Sequence, residues 1–150
     1  MLMAVKDYQR SFTTQRTPEE VFAVISNVKS WWTRDTEGSA AVVGDEFTIH
    51  FGKLWKTMRV IDARPGAHIA WEVVDCHMPF LKNVKEWKGT IMRFDIASGK
   101  AGARVTLTHV GLTPDIECYG ACEKGWAYFF GECLPNVLGK RTPHTRERKS

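Results

Sequence analysis

Alternation of apolar and polar residues between positions 46 and 110 constrains the fold of this chain more than any other feature. Apolar side chains recur at every second position in five segments, and short turns such as Arg-Pro-Gly at 64–66 separate them. A period of two predicts strands that bury one face. Because most of these connections are short and turn-like, the pattern predicts five consecutive antiparallel strands.

A helix is predicted on each side of these strands. Thr17, Pro18 and Glu20 form the pattern of a capping box with proline at the first helical position, and a strand at 5–14 precedes them. The apolar spacing at 115–138 predicts a long terminal helix that Pro135 kinks. A sheet with one apolar face must bury that face, and the terminal helix is the large element available to cover it. We therefore expect an α+β domain with a gap between sheet and helix.

The net charge of +4 does not indicate a nucleic-acid partner. Residues 140–150 hold five basic residues and one acidic residue, whereas residues 1–139 hold 16 of each. The basic character therefore belongs to a polar tail, which we expect to be flexible and whose role the sequence leaves open. We predict no nucleic acid among the partners.

No segment has the composition of a membrane span, because the longest apolar stretches are four or five residues and a span needs about 20. We expect a cytoplasmic protein with no membrane insertion. The four cysteines form no CxxC pair, and we expect free thiols. No metal-ligand spacing and no phosphate- or dinucleotide-binding glycine motif is present, so we expect no metal and no cofactor.

Five segments appear in an order that is similar to a known family. They are TPEEVFAVISNVKSWWT at 17–33, ARPGAHIAWEV at 63–73, WKGTIMRFDI at 87–96, GARVTLTHVGL at 102–112 and KGWAYFFGECLPNVLGK at 124–140. Over residues 5–140 the chain resembles bacterial homologues of the ATPase activator of the ninety-kilodalton heat-shock chaperone. That family lies within the START-like, or SRPBCC, superfamily.

The resemblance implies a helix-grip fold, in which a curved antiparallel sheet of about six or seven strands surrounds a long C-terminal helix. On this basis we expect one START-like domain at 1–139 and the basic tail at 140–150. Members of the superfamily hold lipids, sterols, polyketides or hormones in a cavity between sheet and helix, and a minority catalyse reactions there. The eukaryotic activators also carry a separate N-terminal domain, for which these 150 residues leave no room.

Large apolar side chains on the predicted inward faces are the candidates for a cavity lining. We predict that the lining consists of Phe47, Met58, Trp71, Met92, Phe94, Leu107, His109, Trp126 and Phe130. Trp32 is expected at the entrance, because two adjacent tryptophans in a loop are difficult to bury together. The alternative is that all of these side chains belong to an ordinary close-packed core.

His109 and Asp75 are the titratable residues on the predicted inward faces. His109 could be a structural residue, a polar contact for a ligand, or a weak candidate for a catalytic acid or base. Asp75 could pair with Arg59 or Arg93, or it could anchor a polar group of a ligand.

Three functions remain open from the sequence. The leading hypothesis is a binding protein for a small hydrophobic or amphipathic molecule, not an enzyme. The second is a cyclase- or hydrolase-like enzyme that uses His109. The third is an interaction module like the chaperone activators, with contact loops at 31–37 and 78–81. We rank this hypothesis, and with it a chaperone partner, below the other two. A homodimer is compatible with the exposed sheet edges.

Overall fold

The fold is organised around one sheet, seen in a computed structural model that describes residues 6–140. The strands are β1 (Tyr8–Thr14), β2 (Thr36–Gly38), β3 (Glu46–Phe51), β4 (Leu54–Arg64), β5 (His68–His77), β6 (Ile91–Gly99) and β7 (Gly102–Val110). All pairings are antiparallel, in the order β1-β7-β6-β5-β4-β3-β2. The five predicted strands are β3 to β7, and the predicted strand near the N-terminus is β1. The short edge strand β2 was not predicted.

The helices pack on one side of this sheet. They are α1 (Pro18–Ser26), α2 (Tyr119–Tyr128) and α3 (Leu134–Lys140), and a π-helical segment, Phe129–Cys133, joins the last two. The predicted α+β helix-grip architecture is confirmed. None of these helices has the length and apolarity of a membrane-spanning segment.

Helix α1 begins as the sequence predicts. The Thr17 hydroxyl accepts a hydrogen bond from the Glu20 backbone N–H at 3.1 Å, and the Thr17 N–H donates to the Glu20 carboxylate at 2.9 Å. This reciprocal capping box satisfies two backbone donors that the first helical turn would otherwise leave free. Val21 and Ile25 then lie fully buried on the inner side of the helix.

The terminal helix is less regular than the kinked helix predicted at 115–138. Its α-helical part begins at Tyr119, and a π-helical segment at Phe129–Cys133 interrupts it two residues before Pro135. Proline has no backbone N–H and its ring crowds the carbonyl four residues earlier, so local rewinding before a proline is expected. Helix α3 follows the π-helical segment directly, from Leu134 to Lys140.

Strand β5 contains an irregularity that changes which side chains point inward. Thr57 of β4 pairs with Asp75, but the next residue, Met58, pairs with Val73, which leaves Val74 as an extra residue. Such a bulge reverses the alternation beyond it. Cys76 is consequently buried, and Asp75 lies on the other face, contrary to the prediction.

Residues 1–5 and 141–150 lie outside the described residues. The start of the predicted strand at 5–14 and nearly all of the predicted tail at 140–150 therefore fall outside them.

Candidate functional site

A cavity of about 170 Å³ lies between the sheet and α2, at the end of the sheet formed by β3, β4 and β5. Its walls come from the sheet, from the loops beside it and from one face of α2. The lining residues are Trp32, Phe51, Leu54, Lys56, Met78, Phe80, Trp87, Ala121, Cys122, Gly125, Trp126 and Phe129. Two further depressions, of about 270 and 340 Å³, lie on the surface beside β2 and at the β6–β7 turn.

Small residues on α2 leave room for this cavity. Ala121 and Gly125 are four positions apart, so they lie on the same side of the helix, and both line the space. A methyl group added at Gly125 would meet no atom within 4 Å. Glycine weakens a helix interior, so its presence at this position costs helix stability and provides open volume.

Three tryptophans form the aromatic wall of the cavity. The ring of Trp126 on α2 stacks on Trp87 at 6.1 Å between centroids and contacts Trp32 at 5.0 Å. All three rings are at least 95% buried. At the rim, Phe80 is 53% exposed and Phe51 is 37% exposed. Aromatic rings therefore line the cavity from its interior to its opening.

The adjacent tryptophans Trp31 and Trp32 are both buried, although we expected them to be difficult to bury together. Their rings stack on each other at 5.7 Å, and the Trp31 indole N–H donates to the Ile25 carbonyl at 3.2 Å. A short 3₁₀ turn, Val28–Ser30, precedes them. Trp31 packs against Phe94 of the sheet, whereas Trp32 packs against Trp71 of the sheet and Trp126 of α2. Trp32 lies inside the cavity wall and not at an open entrance.

Of the ten predicted site residues, Trp32 and Trp126 line the cavity. The other eight lie in the adjacent close-packed core, and all are at most 2% exposed: Phe47, Met58, Trp71, Met92, Phe94, Leu107, His109 and Phe130. Trp71 illustrates the reason, because its ring lies 4.8 Å from both Phe47 and Phe94. These rings interdigitate and fill the centre of the sheet, and the cavity lies near its end.

His109 is held in a chain of hydrogen bonds. The Trp126 indole N–H donates to His109 Nδ1 at 3.0 Å, which places the ring proton on Nε2. Nε2 then donates to the Thr90 hydroxyl at 2.9 Å, and that hydroxyl donates to the Trp87 carbonyl at 2.7 Å. Burial, and secondarily the charge of Lys56, lowers the pKa of His109 to about 3. The neutral ring joins two cavity tryptophans and has no free nitrogen directed at the cavity.

Lys56 is a cavity residue that the sequence reasoning missed. It alternates with Met58 and Val60 on the inward face of β4, and it is only 7% exposed. Its ammonium lies 3.4 Å from the centroid of the Trp87 ring. Burial lowers the pKa of Lys56 to about 8, although three nearby thiols act in the opposite direction. The period-two pattern contained this signal, but lysine is rarely buried and was not considered.

Two cysteines of the α2 region lie beside Lys56. Cys118 accepts a hydrogen bond from the Trp87 indole N–H at 3.1 Å, and Cys122 lines the cavity one helical turn later. A hydrogen bond between the two thiols raises the pKa of Cys118 and lowers that of Cys122, which the Lys56 charge lowers further. All four cysteines are free thiols. Among residues 6–140, no group of His, Cys, Asp or Glu is placed to hold a metal ion.

Asp75 does not contribute to the cavity. Its carboxylate accepts hydrogen bonds from Lys85 and from the Cys76 backbone N–H, both at 2.9 Å. These hydrogen bonds, that of Lys85 first, lower the pKa of Asp75. The predicted partners Arg59 and Arg93 pair with Glu46 and Asp95 instead.

The fold of this chain is similar to that of several solved structures. The Aha1 dimer from Colwellia psychrerythraea is 20% identical, covers 93% of this chain and 100% of its own, and superposes with a TM-score of 0.74. Protein MLL2253 from Mesorhizobium loti is 16% identical, covers 91% of this chain and 99% of its own, and superposes with a TM-score of 0.73. DynU16, a putative protein in the dynemicin biosynthetic locus, is 14% identical, covers 93% of this chain and 49% of its own, and superposes with a TM-score of 0.65. At these identities the likeness shows the fold alone.

Sequence comparison is more specific. No curated protein matches the chain. The family described as activator of Hsp90 ATPase homolog 1-like protein matches residues 15–139, which include every described strand except β1 and every described helix apart from the last residue of α3. The chain therefore belongs to the family of activator of Hsp90 ATPase homolog 1-like proteins.

Proposed function

We propose that this protein binds a small apolar or amphipathic molecule in the cavity between the sheet and α2. The observation that carries the proposal is the apolar cavity beneath Gly125, where α2 lacks a side chain and the surrounding aromatic rings do not close the gap. Pockets for apolar ligands have this composition, with many aromatic residues and few polar groups.

The volume limits the size of the ligand. An engineered apolar cavity of about 150 Å³ in another protein accommodates benzene. The cavity of about 170 Å³ therefore suits one aromatic ring or a short alkyl chain, with further atoms extending past Phe80 and Phe51 at the rim.

Mass spectrometry of small molecules extracted from gently purified protein tests this proposal. We expect a stoichiometric apolar compound in the wild type and its loss in Gly125→Leu, because the new side chain fills the cavity. Gly120→Leu is the matched control: it lies on the same helix, where an added Cβ also meets no atom within 4 Å, but it does not line the cavity. Equal ligand content in both variants would contradict the proposal. If the purified wild type carries no ligand, toluene is added instead. We then expect toluene to bind the wild type and the Gly120→Leu control but not Gly125→Leu.

An interaction with a chaperone is a second candidate, favoured by family membership and by one exposed ring. Phe80 is exposed in the 78–81 loop, whereas both tryptophans of the 31–37 loop are buried. If the loop binds the chaperone, the wild type should stimulate the ATPase of a bacterial ninety-kilodalton heat-shock protein, and Phe80→Ser should not. No stimulation by the wild type would remove this candidate.

We also propose a homodimer, because the Colwellia psychrerythraea relative was solved as a dimer. The sheet leaves two edges, β1 and β2, at which a second copy could add a strand. Sedimentation equilibrium should give a mass that rises with concentration toward twice 17.1 kDa. A constant monomer mass would contradict the dimer.

A further inference from the structure

The cavity contains one cation in an otherwise apolar row of the sheet. Lys56 pairs with Ile49 on β3 and with Cys76 on β5, and both neighbours are fully buried. The alternation of β4 places Lys56 on the same inward face as Met58, so its side chain cannot turn to solvent without disturbing the strand.

The Lys56 ammonium has no carboxylate partner among residues 6–140. The carboxylates of Asp75, on β5, and of Glu86, in the loop between β5 and β6, are engaged by other groups. Asp75 pairs with Lys85, and Glu86 accepts the backbone N–H groups of Glu117 and Cys118 at the start of α2. What faces Lys56 is the ring of Trp87.

An aromatic ring does not replace the hydration of an ammonium group. A cation–π contact offsets only part of the desolvation cost, and buried charges are normally paired with an opposite charge. Lys56 is 93% buried and lines the cavity, so a ligand in that space is placed to supply the missing counter-charge.

We infer that the cavity selects small amphipathic anions, with a carboxylate against Lys56 and an aromatic or short alkyl body against Trp32 and Trp126. This inference rests on the proposed function, because it names the chemical class of the ligand in the same cavity. It also assigns a specificity role to Lys56. The apolar wall provides affinity without regard to charge, and the ammonium distinguishes an anion from a neutral or cationic molecule of the same shape.

Calorimetric titration with three ligands of one shape tests the inference: 3-phenylpropionate, 3-phenylpropanamide and 3-phenylpropylamine. At pH 7 we expect the wild type to bind the carboxylate roughly ten- to a hundredfold more tightly than the amide, and the amine most weakly. Lys56→Met keeps the length of the side chain and removes its charge. In this variant the carboxylate should lose its preference over the amide.

Lys53→Met is the matched control, because Lys53 lies exposed in the turn before β4 and its loss changes the net charge equally. This control should keep the preference for the carboxylate. If the control also lost it, long-range charge and not Lys56 would explain the selectivity, and the inference would be overturned. Equal binding of carboxylate and amide by the wild type would overturn it while leaving the proposed function intact. Absence of binding by all three ligands would count against both.

The pH dependence provides a further readout. The titratable groups that face Lys56 are Cys76 on β5, Cys118 and Cys122 at α2, and His109 on β7, whose lowered pKa keeps it neutral at neutral and alkaline pH. Carboxylate affinity should fall as Lys56 loses its proton above neutral pH. The fall should persist in Cys122→Ser, which removes the cavity thiol. A fall that vanished in Cys122→Ser would assign the titration to the thiol and contradict the role of Lys56.

Discussion

At the residue scale, the hydrogen bonds of His109 lead to a prediction about its titration. Burial of the ring, and secondarily the charge of Lys56, lowers the pKa of His109 to about 3, and both ring nitrogens are hydrogen-bonded. NMR of the histidine rings should show His109 as the Nε2–H tautomer, unchanged between pH 8 and 5. Titration of His109 near its ordinary value of about 6.5 would contradict this account.

The same pKa shift affects stability in acid. Between about pH 6.5 and pH 3 the unfolded state binds a proton at this histidine and the folded state does not. The free energy of unfolding should therefore decrease as the pH falls through that window. His109→Gln, which retains hydrogen-bonding groups but does not titrate, should show a shallower decrease in urea denaturation.

Lys56 gives the second prediction at this scale. Its pKa is lowered to about 8 in the folded state, below the ordinary value, so burial of its charge destabilises the fold at neutral pH. Lys56→Met should raise the free energy of unfolding at pH 7 by on the order of 1–3 kcal/mol. The gain should shrink between pH 8 and about 10.5, where the wild type folds with a neutral lysine. Lys53→Met should change stability little, and a destabilised Lys56→Met would contradict the assignment.

At the scale of elements, a substitution at Gly125 should have opposite effects on helix stability and on ligand binding. Alanine is favoured over glycine in a helix interior by about 0.5–1 kcal/mol, and the added methyl group meets no neighbour. Gly125→Ala should therefore stabilise the protein by about that amount in urea denaturation, while it weakens binding of a ligand that fills the cavity. A destabilised variant would show that the space beside Gly125 is already occupied.

Strand β5 shows where sequence patterning succeeds and where it ends. Alternation predicts the inward positions of Trp71 and Val73, because side chains of a regular strand alternate between faces. It fails after Val73, because the extra residue Val74 shifts the pairing with β4. No residue type at that point marks the bulge, so Asp75 was predicted on the wrong face and the burial of Cys76 was missed.

The terminal helix illustrates a similar limit. Pro135 predicts a disturbance of the helix, and the structure has one, but the sequence does not specify that it is a π-helical segment upstream. Likewise the loop between β5 and β6 has no periodicity. The burial of Trp87 in that loop depends on its contacts with Trp126 and Cys118, which tertiary packing creates.

At the scale of the whole molecule, the fold was predictable and the cavity lining largely was not. The order of elements and the inward face follow from periodicity and from the need to bury one face of the sheet. The position of the cavity depends on which rings interdigitate. Trp71 and its neighbours close the centre of the sheet, and the space remains where α2 carries Ala121 and Gly125. Hydrophobicity alone does not distinguish a ring in the core from a ring in a cavity wall.

The six tryptophans permit the most direct test of the central claim, that a small apolar molecule enters this cavity. Each gives its own indole N–H resonance, and toluene is a probe that fits about 170 Å³. We predict that saturating toluene shifts the resonances of Trp32, Trp87 and Trp126 most. Trp55, which lies on the opposite face of β4, should not move. No change at the three cavity tryptophans, or a largest change at Trp55, would contradict the account.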